Sequence, residues 1–133
     1  MLKTGIFHPQ LLRVLGEIRH KDLLVIGDAG LPIPDGPKRI DLAVTFGIPA
    51  FRDVLEVVLE DLKIQKAIIA SETRDVNPEM YAYFVEKIAS LGAELVEVPH
   101  EELKKLSRAS KCVIRTGECK PYSNIILESN VSF

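Results

Sequence analysis

The sequence predicts an α/β fold, a single three-layer domain in which helices cover a mostly parallel, mixed sheet. Three observations carry this reading. Short continuous apolar runs such as Leu23-Leu24-Val25-Ile26 and Ala67-Ala70 recur between turn residues, as strands buried on both faces require. Apolar residues at helical spacing fill most of the intervals between these runs. Strand and helix therefore alternate, the arrangement that makes parallel sheets with crossover helices. A chain of 133 residues suits one core, so residues 1–133 are read as one domain.

The elements follow in order. Residues 8–17 place Leu11, Leu12, Val14, Leu15 and Ile18 along one helical face. The first buried run then ends at Gly27-Asp28-Ala29-Gly30, and three prolines in Leu31-Pro37 impose a rigid loop. A short strand is expected over Ile40–Val44. Pro49 is placed to open a helix through Leu59, with Phe51, Leu55, Val58 and Leu59 facing inward. After the strand at 67–70, a polar loop runs from Ser71 to Val76. Asn77-Pro78 signals the start of the next helix and Gly92 its stop. Leu95–Val98 is a strand and His100–Ala109 a short helix. Cys112-Val113-Ile114 and Ile125-Ile126-Leu127 complete the set, and with no helix between them they are candidates to pair antiparallel.

Composition narrows the function. Hydrophobic residues make up 47% and charged residues 27%, the balance of an ordinary globular protein. Seventeen basic against nineteen acidic residues give a net charge of −2, without the basic footprint of a nucleic-acid binder. Apolar runs are broken by charge well before about 18 residues, too short to span a membrane. The N-terminus lacks a secretory pattern, and Cys112 and Cys119 form no Cys-x-x-Cys pair, so a reducing cytoplasmic setting is expected. Lys104, Lys105 and Arg108 read as a solvated helix face.

Ligands of open α/β sheets bind outside the carboxyl ends of the strands. That rule selects residues 28–34, 71–75, 99–100 and 116–124. Asp28 follows a buried strand, where it either turns the chain or meets a ligand. His100 opens a helix, and His20 closes one; each is otherwise a capping or surface histidine. Tyr122-Ser123-Asn124 offers a phenol, a hydroxyl and an amide, groups that donate and accept at once and so suit vicinal hydroxyls. No Gly-x-Gly-x-x-Gly, P-loop or Gly-x-Ser-x-Gly element is present, and the three histidines lack zinc-ligand spacing. Residues alone go as far as a hydroxyl-rich ligand, without cofactor or metal.

Read together, these segments resemble the RbsD branch of the RbsD/FucU sugar mutarotase family nearly end to end. The likeness rests on His20 with Asp22–Val25, Asp28-Ala29-Gly30-Leu31-Pro32-Ile33-Pro34, Arg39-Ile40-Asp41, Gly47-Ile48-Pro49 and Asn77-Pro78. His100-Glu101-Glu102, Arg115–Cys119 and Pro121–Leu127 complete it. The loop from Asp28 to Pro34 separates the chain from the fucose branch, and Ser123 departs mildly from the family's alanine. The resemblance implies interconversion of pyranose and furanose D-ribose without a cofactor. It implies His20 as proton donor, substrate contacts at Asp28, His100, Tyr122, Ser123 and Asn124, and an additional one at Lys104. It also implies a ring-like homo-oligomer, usually a decamer.

From His20 to Asp28 is eight steps, roughly 26 Å if extended at about 3.3 Å each. One ribose cannot touch both ends, so pockets are expected between subunits, with His20 from one and Asp28 from its neighbour. Two other readings stay open: a non-catalytic ribose-binding accessory to transport, and a mutarotase for another sugar such as fucose.

Overall fold

The apolar run at residues 23–27 becomes strand β1 (Leu23–Gly27), and the computed structural model, which describes residues 1–133, builds a six-stranded sheet around it. The other strands are β2 (Lys38–Asp41), β3 (Ile64–Ala70), β4 (Glu94–Val98), β5 (Cys112–Arg115) and β6 (Ile125–Ser129). Their spatial order is β2-β5-β1-β6-β3-β4. β5 lies parallel to β1 and β2, and β4 parallel to β3, while β6 runs antiparallel between β1 and β3. The last two strands therefore do not pair with each other, contrary to the expectation; they flank β1 on opposite sides. The antiparallel element is real, but its partners are β1 and β3.

Continuous hydrophobicity in β1 follows from burial on both faces. Leu24 and Ile26 join the larger core, whereas Val25 between them joins the smaller one. Helices α1 (Pro9–Glu17), α2 (Phe51–Asp61) and α4 (Pro78–Ser90) cover the larger core with Leu11, Val14, Leu55, Val58, Phe84 and Ile88. Phe51 meets Phe84 edge to face at 5.7 Å, and both are fully buried. Cutting Phe84 to alanine costs about 3–5 kcal/mol by the usual price of a core aromatic. The opposite face carries helix α5 (His100–Leu106), through Leu103, and the loop residue Leu31. This thinner layer leaves one corner of the sheet open.

Helix α4 starts as its sequence requires. Asn77 caps it, accepting from the Met80 N–H at 3.4 Å, and Pro78 occupies the first turn. Three other expectations need correction. The strand at 40–44 is shifted to β2, because β5 ends at Arg115 and offers no ladder beyond the Leu42 N–H. Residues 42–48 fold back instead, with an isolated bridge between Thr45 and Ile48. Pro49 does not open α2, which begins at Phe51; the Pro49 carbonyl is engaged by the Gly117 N–H at 2.9 Å. The loop at 71–76 contains a single helical turn, α3 (Thr73–Val76).

Candidate functional site

Because β6 runs against its neighbours, its amino end lies on the same edge as the carboxyl ends of β1, β4 and β5. That edge gathers Asp28 after β1, His100 after β4, residues 115–120 from β5, and residues 121–124 before β6. Asp28, His100, Arg115, Glu118, Tyr122 and Asn124 from these segments line an open pocket of about 540 Å³, within the range that holds small ligands.

Asp28 and Asn124 hold one another. The Asp28 N–H donates to Asn124 Oδ1 at 2.8 Å, and Asn124 Nδ2 donates back to Asp28 Oδ2 at 3.0 Å. The Gly30 N–H donates to the other carboxylate oxygen at 2.9 Å. Partial burial pushes the Asp28 carboxyl above its ordinary range, against the opposing pull of these hydrogen bonds. The site thus presents a fixed carboxyl group beside a buried amide.

His100 faces Tyr122 edge-on, with ring centroids 5.1 Å apart. Its backbone N–H is bound by both oxygens of Glu72 at 3.1 and 3.0 Å, which fixes the start of α5. The ring nitrogen Nδ1 is buried and has no partner, alone among the buried side-chain polar atoms. Such an orphan is costly unless a ligand satisfies it. Tyr122 itself sits at φ +56°, an uncommon backbone for a bulky residue. Thr73 Oγ1 holds its carbonyl at 3.2 Å, and Asn77 Nδ2 holds that of Pro121 at 3.0 Å.

The remaining expected residues fall elsewhere. Ser123 is completely buried, its hydroxyl donating to the Lys120 carbonyl and accepting from Asn77, so it shapes the loop. Lys104 does not line the pocket and pairs with Glu101 at 2.6 Å. His20 is exposed at the opposite edge of the sheet, 3.2 Å from Gln65 Oε1. The chain between His20 and Asp28 is straight only through β1, about 13 Å at about 3.3 Å per step, because His20 and Lys21 form a turn with Lys21 at φ +67°. The expected 26 Å is therefore too long, yet within one chain His20 and Asp28 remain at opposite ends of β1.

Several lining residues fall in or beside segments the sequence selects without being singled out there as site residues. Arg115 donates to the Ala29 carbonyl at 2.9 Å and to Asp41 at 2.8 Å, bracing the Asp28 loop. That guanidinium holds the Asp41 carboxyl below its ordinary range. Glu118 is occupied structurally: its carbonyl accepts from Ala29 at 2.8 Å, and its carboxylate accepts from the N–H groups of Phe51, Cys119 and Lys120. A charge closing a buried strand was the available signal for Arg115; nothing local marks Glu118. Phe46, 89% exposed, stands at the pocket rim with Val44 and Ile48 exposed beside it. No three His, Cys, Asp or Glu side chains converge to hold a metal ion, and no helix is long and apolar enough to cross a membrane.

Comparison with known proteins covers the whole chain. The profile of the RbsD / FucU transport protein family matches residues 1–132. The D-ribose pyranase of Thermoanaerobacter sp. (strain X514) is 50% identical over 133 residues, all of both chains. That of Variovorax paradoxus (strain S110) is 50% identical over 135 residues, again with full coverage of both. The structure of Bacillus subtilis RbsD complexed with D-ribose superposes with a TM-score of 0.93 at 44% identity, covering 100% of each chain. FucU from Bifidobacterium longum, 24% identical over 96% of this chain and 97% of its own, shares the fold with a TM-score of 0.79.

Proposed function

The chain belongs to the RbsD / FucU transport protein family, and from that premise we propose that residues 1–133 act as one domain with D-ribose pyranase activity. It is an isomerase that interconverts the pyranose and furanose forms of D-ribose. The observation that carries this reading is the Asp28–His100–Asn124 pocket, in a fold that matches a relative solved with D-ribose. Its fixed carboxyl, unpartnered imidazole nitrogen, phenol and amide suit a ligand made of hydroxyl groups.

In the proposed reaction, the His20 imidazolium gives a proton to ring oxygen O5 as the C1–O5 bond breaks. Asp28 takes the proton of the anomeric hydroxyl, leaving the C1 aldehyde. After rotation, O4 attacks C1 and returns its proton to His20, while Asp28 reprotonates the former carbonyl oxygen. Nothing is consumed, so no cofactor enters the balance. General acid–base catalysis supplies about 10²- to 10⁴-fold, enough for an exchange that already occurs in water. His100, Tyr122 and Asn124 hold hydroxyls and Ser123 acts through its backbone, while Lys104, one helical turn from His100, would add a contact only by leaving its pair with Glu101.

His20 reaches a sugar only from a second copy of the chain. The exposed Phe46 at the pocket, with Val44 and Ile48 exposed in the same turn, supports an intersubunit site, since a neighbour covering Phe46 would close the pocket. We take the assembly to be a homodecamer in the cytoplasm, with no nucleic-acid or membrane partner. The test is exchange NMR of D-ribose, L-fucose and D-galactose with the unaltered protein and with His20→Ala. Acceleration for ribose, lost in the variant, is expected; ribose binding without faster exchange would overturn the enzyme reading. Mixed His20→Ala and Asp28→Ala subunits should recover activity, and no recovery despite co-assembly would refute the shared site.

A further inference from the structure

At the edge opposite the pocket, β3 contains a bulge. Its register against β6 shifts between Ile64, opposite Ser129, and Lys66, opposite Glu128, leaving Gln65 as the extra residue. In a regular strand, Gln65 and Lys66 would point to opposite faces. Here both reach Glu128: Gln65 Nε2 donates to Oε1, and Lys66 Nζ lies 3.4 Å from Oε2. Bulges re-aim side chains in this way beside functional groups. The outer end of Gln65 is the one that meets His20.

The hydrogen-bond inventory then fixes the ring. The bond from Gln65, and next the one from Lys66, hold the Glu128 carboxyl below its ordinary range, so it is ionised at neutral pH and only accepts. The amide NH₂ must therefore face Glu128, and Oε1 must face His20. Oε1 also only accepts, so the His20 nitrogen 3.2 Å away has to carry hydrogen. We propose that Gln65, anchored by Glu128, is a positioning residue that holds His20 as the Nε2–H tautomer and leaves Nδ1 as the nitrogen that exchanges protons with the sugar. This rests on the acid role proposed for His20. Other charges near the ring are Lys21 and Arg19 on either side of it in the chain, the latter turned to the Gly16 and Ile18 carbonyls, with Lys66 on β3 and Glu128 on β6. Asp22 is turned to the Arg19 N–H at 2.8 Å and to Lys111 at 3.8 Å.

The full-length protein, ¹⁵N-labelled on histidine, tests this by long-range ¹H–¹⁵N correlation at alkaline pH. The unaltered chain should show Nε2 protonated and Nδ1 bare, and Gln65→Leu a mixture of tautomers with exchange slowed about tenfold, the usual scale for losing an orienting partner. The double exchange Gln65→Glu with Glu128→Gln keeps charge and hydrogen-bond number but brings the carboxylate to the ring. A carboxylate there favours the charged ring, so the pH profile of exchange should move to higher pH. An Nδ1–H tautomer in the unaltered protein overturns the proposal. So does a pH profile unmoved by the double exchange, which reads the same contact if Gln65→Leu fails to fold. Full exchange in His20→Ala overturns the acid role and this proposal with it, even where the tautomer is Nε2–H.

Discussion

Replacing Asn124 with aspartate changes one nitrogen to oxygen at the centre of the pocket. Asn124 is almost wholly buried, and its Nδ2 lies 3.0 Å from Asp28 Oδ2. In Asn124→Asp the Asp28 N–H keeps its acceptor, but two carboxylate oxygens now stand where donor met acceptor. Two like charges at about 3 Å repel by roughly 5 kcal/mol at an effective dielectric of about 20, so the pair takes up a proton instead. Holding that proton at pH 7, against an unfolded carboxyl of about 3.9, costs about 4 kcal/mol. Partial exposure of Asp28 lowers this to about 2–3 kcal/mol by solvent screening. The sign follows from the raised folded pKa: stability is whole below about pH 4 and is lost as pH rises through the folded value. Thermal unfolding at matched concentration should show a Tm about 6–15 °C lower at pH 7, and a deficit under about 5 °C at pH 4.5. An unchanged Tm at pH 7, or the same deficit at both pH values, would refute the reciprocal clamp.

Three other outcomes are expected. His100→Phe keeps the ring against Tyr122 but removes the orphaned Nδ1; ribose affinity by calorimetry should fall about tenfold, one hydrogen bond's worth, while Tm holds or rises. Gly117→Ala would set a methyl 2.4 Å from the Ile48 carbonyl oxygen and 2.6 Å from its nitrogen, both backbone atoms. It should cost about 1–3 kcal/mol in urea unfolding. Burial pushes the Cys112 thiol up to about 12, whereas Cys119 is exposed. An aromatic disulfide reagent at pH 8 should therefore titrate Cys119 at once and Cys112 only in denaturant.

What could be read from the chain was whatever repeats at short range. β1 and β3 announced themselves by unbroken apolar runs, and α4 by Asn77-Pro78 and Gly92, because those signals depend on neighbours in sequence. The rule that ligands meet the carboxyl ends of strands located Asp28, His100, Tyr122 and Asn124, which the fold does bring together; Ser123, in the same stretch, is buried in the loop instead. Long-range partnerships were not legible. The α2 N-terminus is met by Glu118, 67 residues away, so Pro49 drew the helix start to the wrong place. β2 could not be bounded without knowing that β5 ends at Arg115. The proton-donor role of His20 came from resemblance alone, and the bulge that gives it a partner leaves no mark in the pattern of apolar residues.

The placement of β6 between β1 and β3 also governs how the molecule can be made. Every other strand precedes it in the chain, yet it occupies the centre of the sheet. Until it docks, β1 and β3 each present an unpaired, apolar edge, and no strand joins the two halves of the sheet. Such distant pairings form slowly, because loop closure comes before any contact rewards it. A ribosome-bound chain lacking residues 125–129 would hold two half-sheets with open edges, the condition that invites association with other chains. Commitment to the native state therefore waits for residues 125–129, and a chaperone that shields those edges until Ser129 emerges would act at the most vulnerable step.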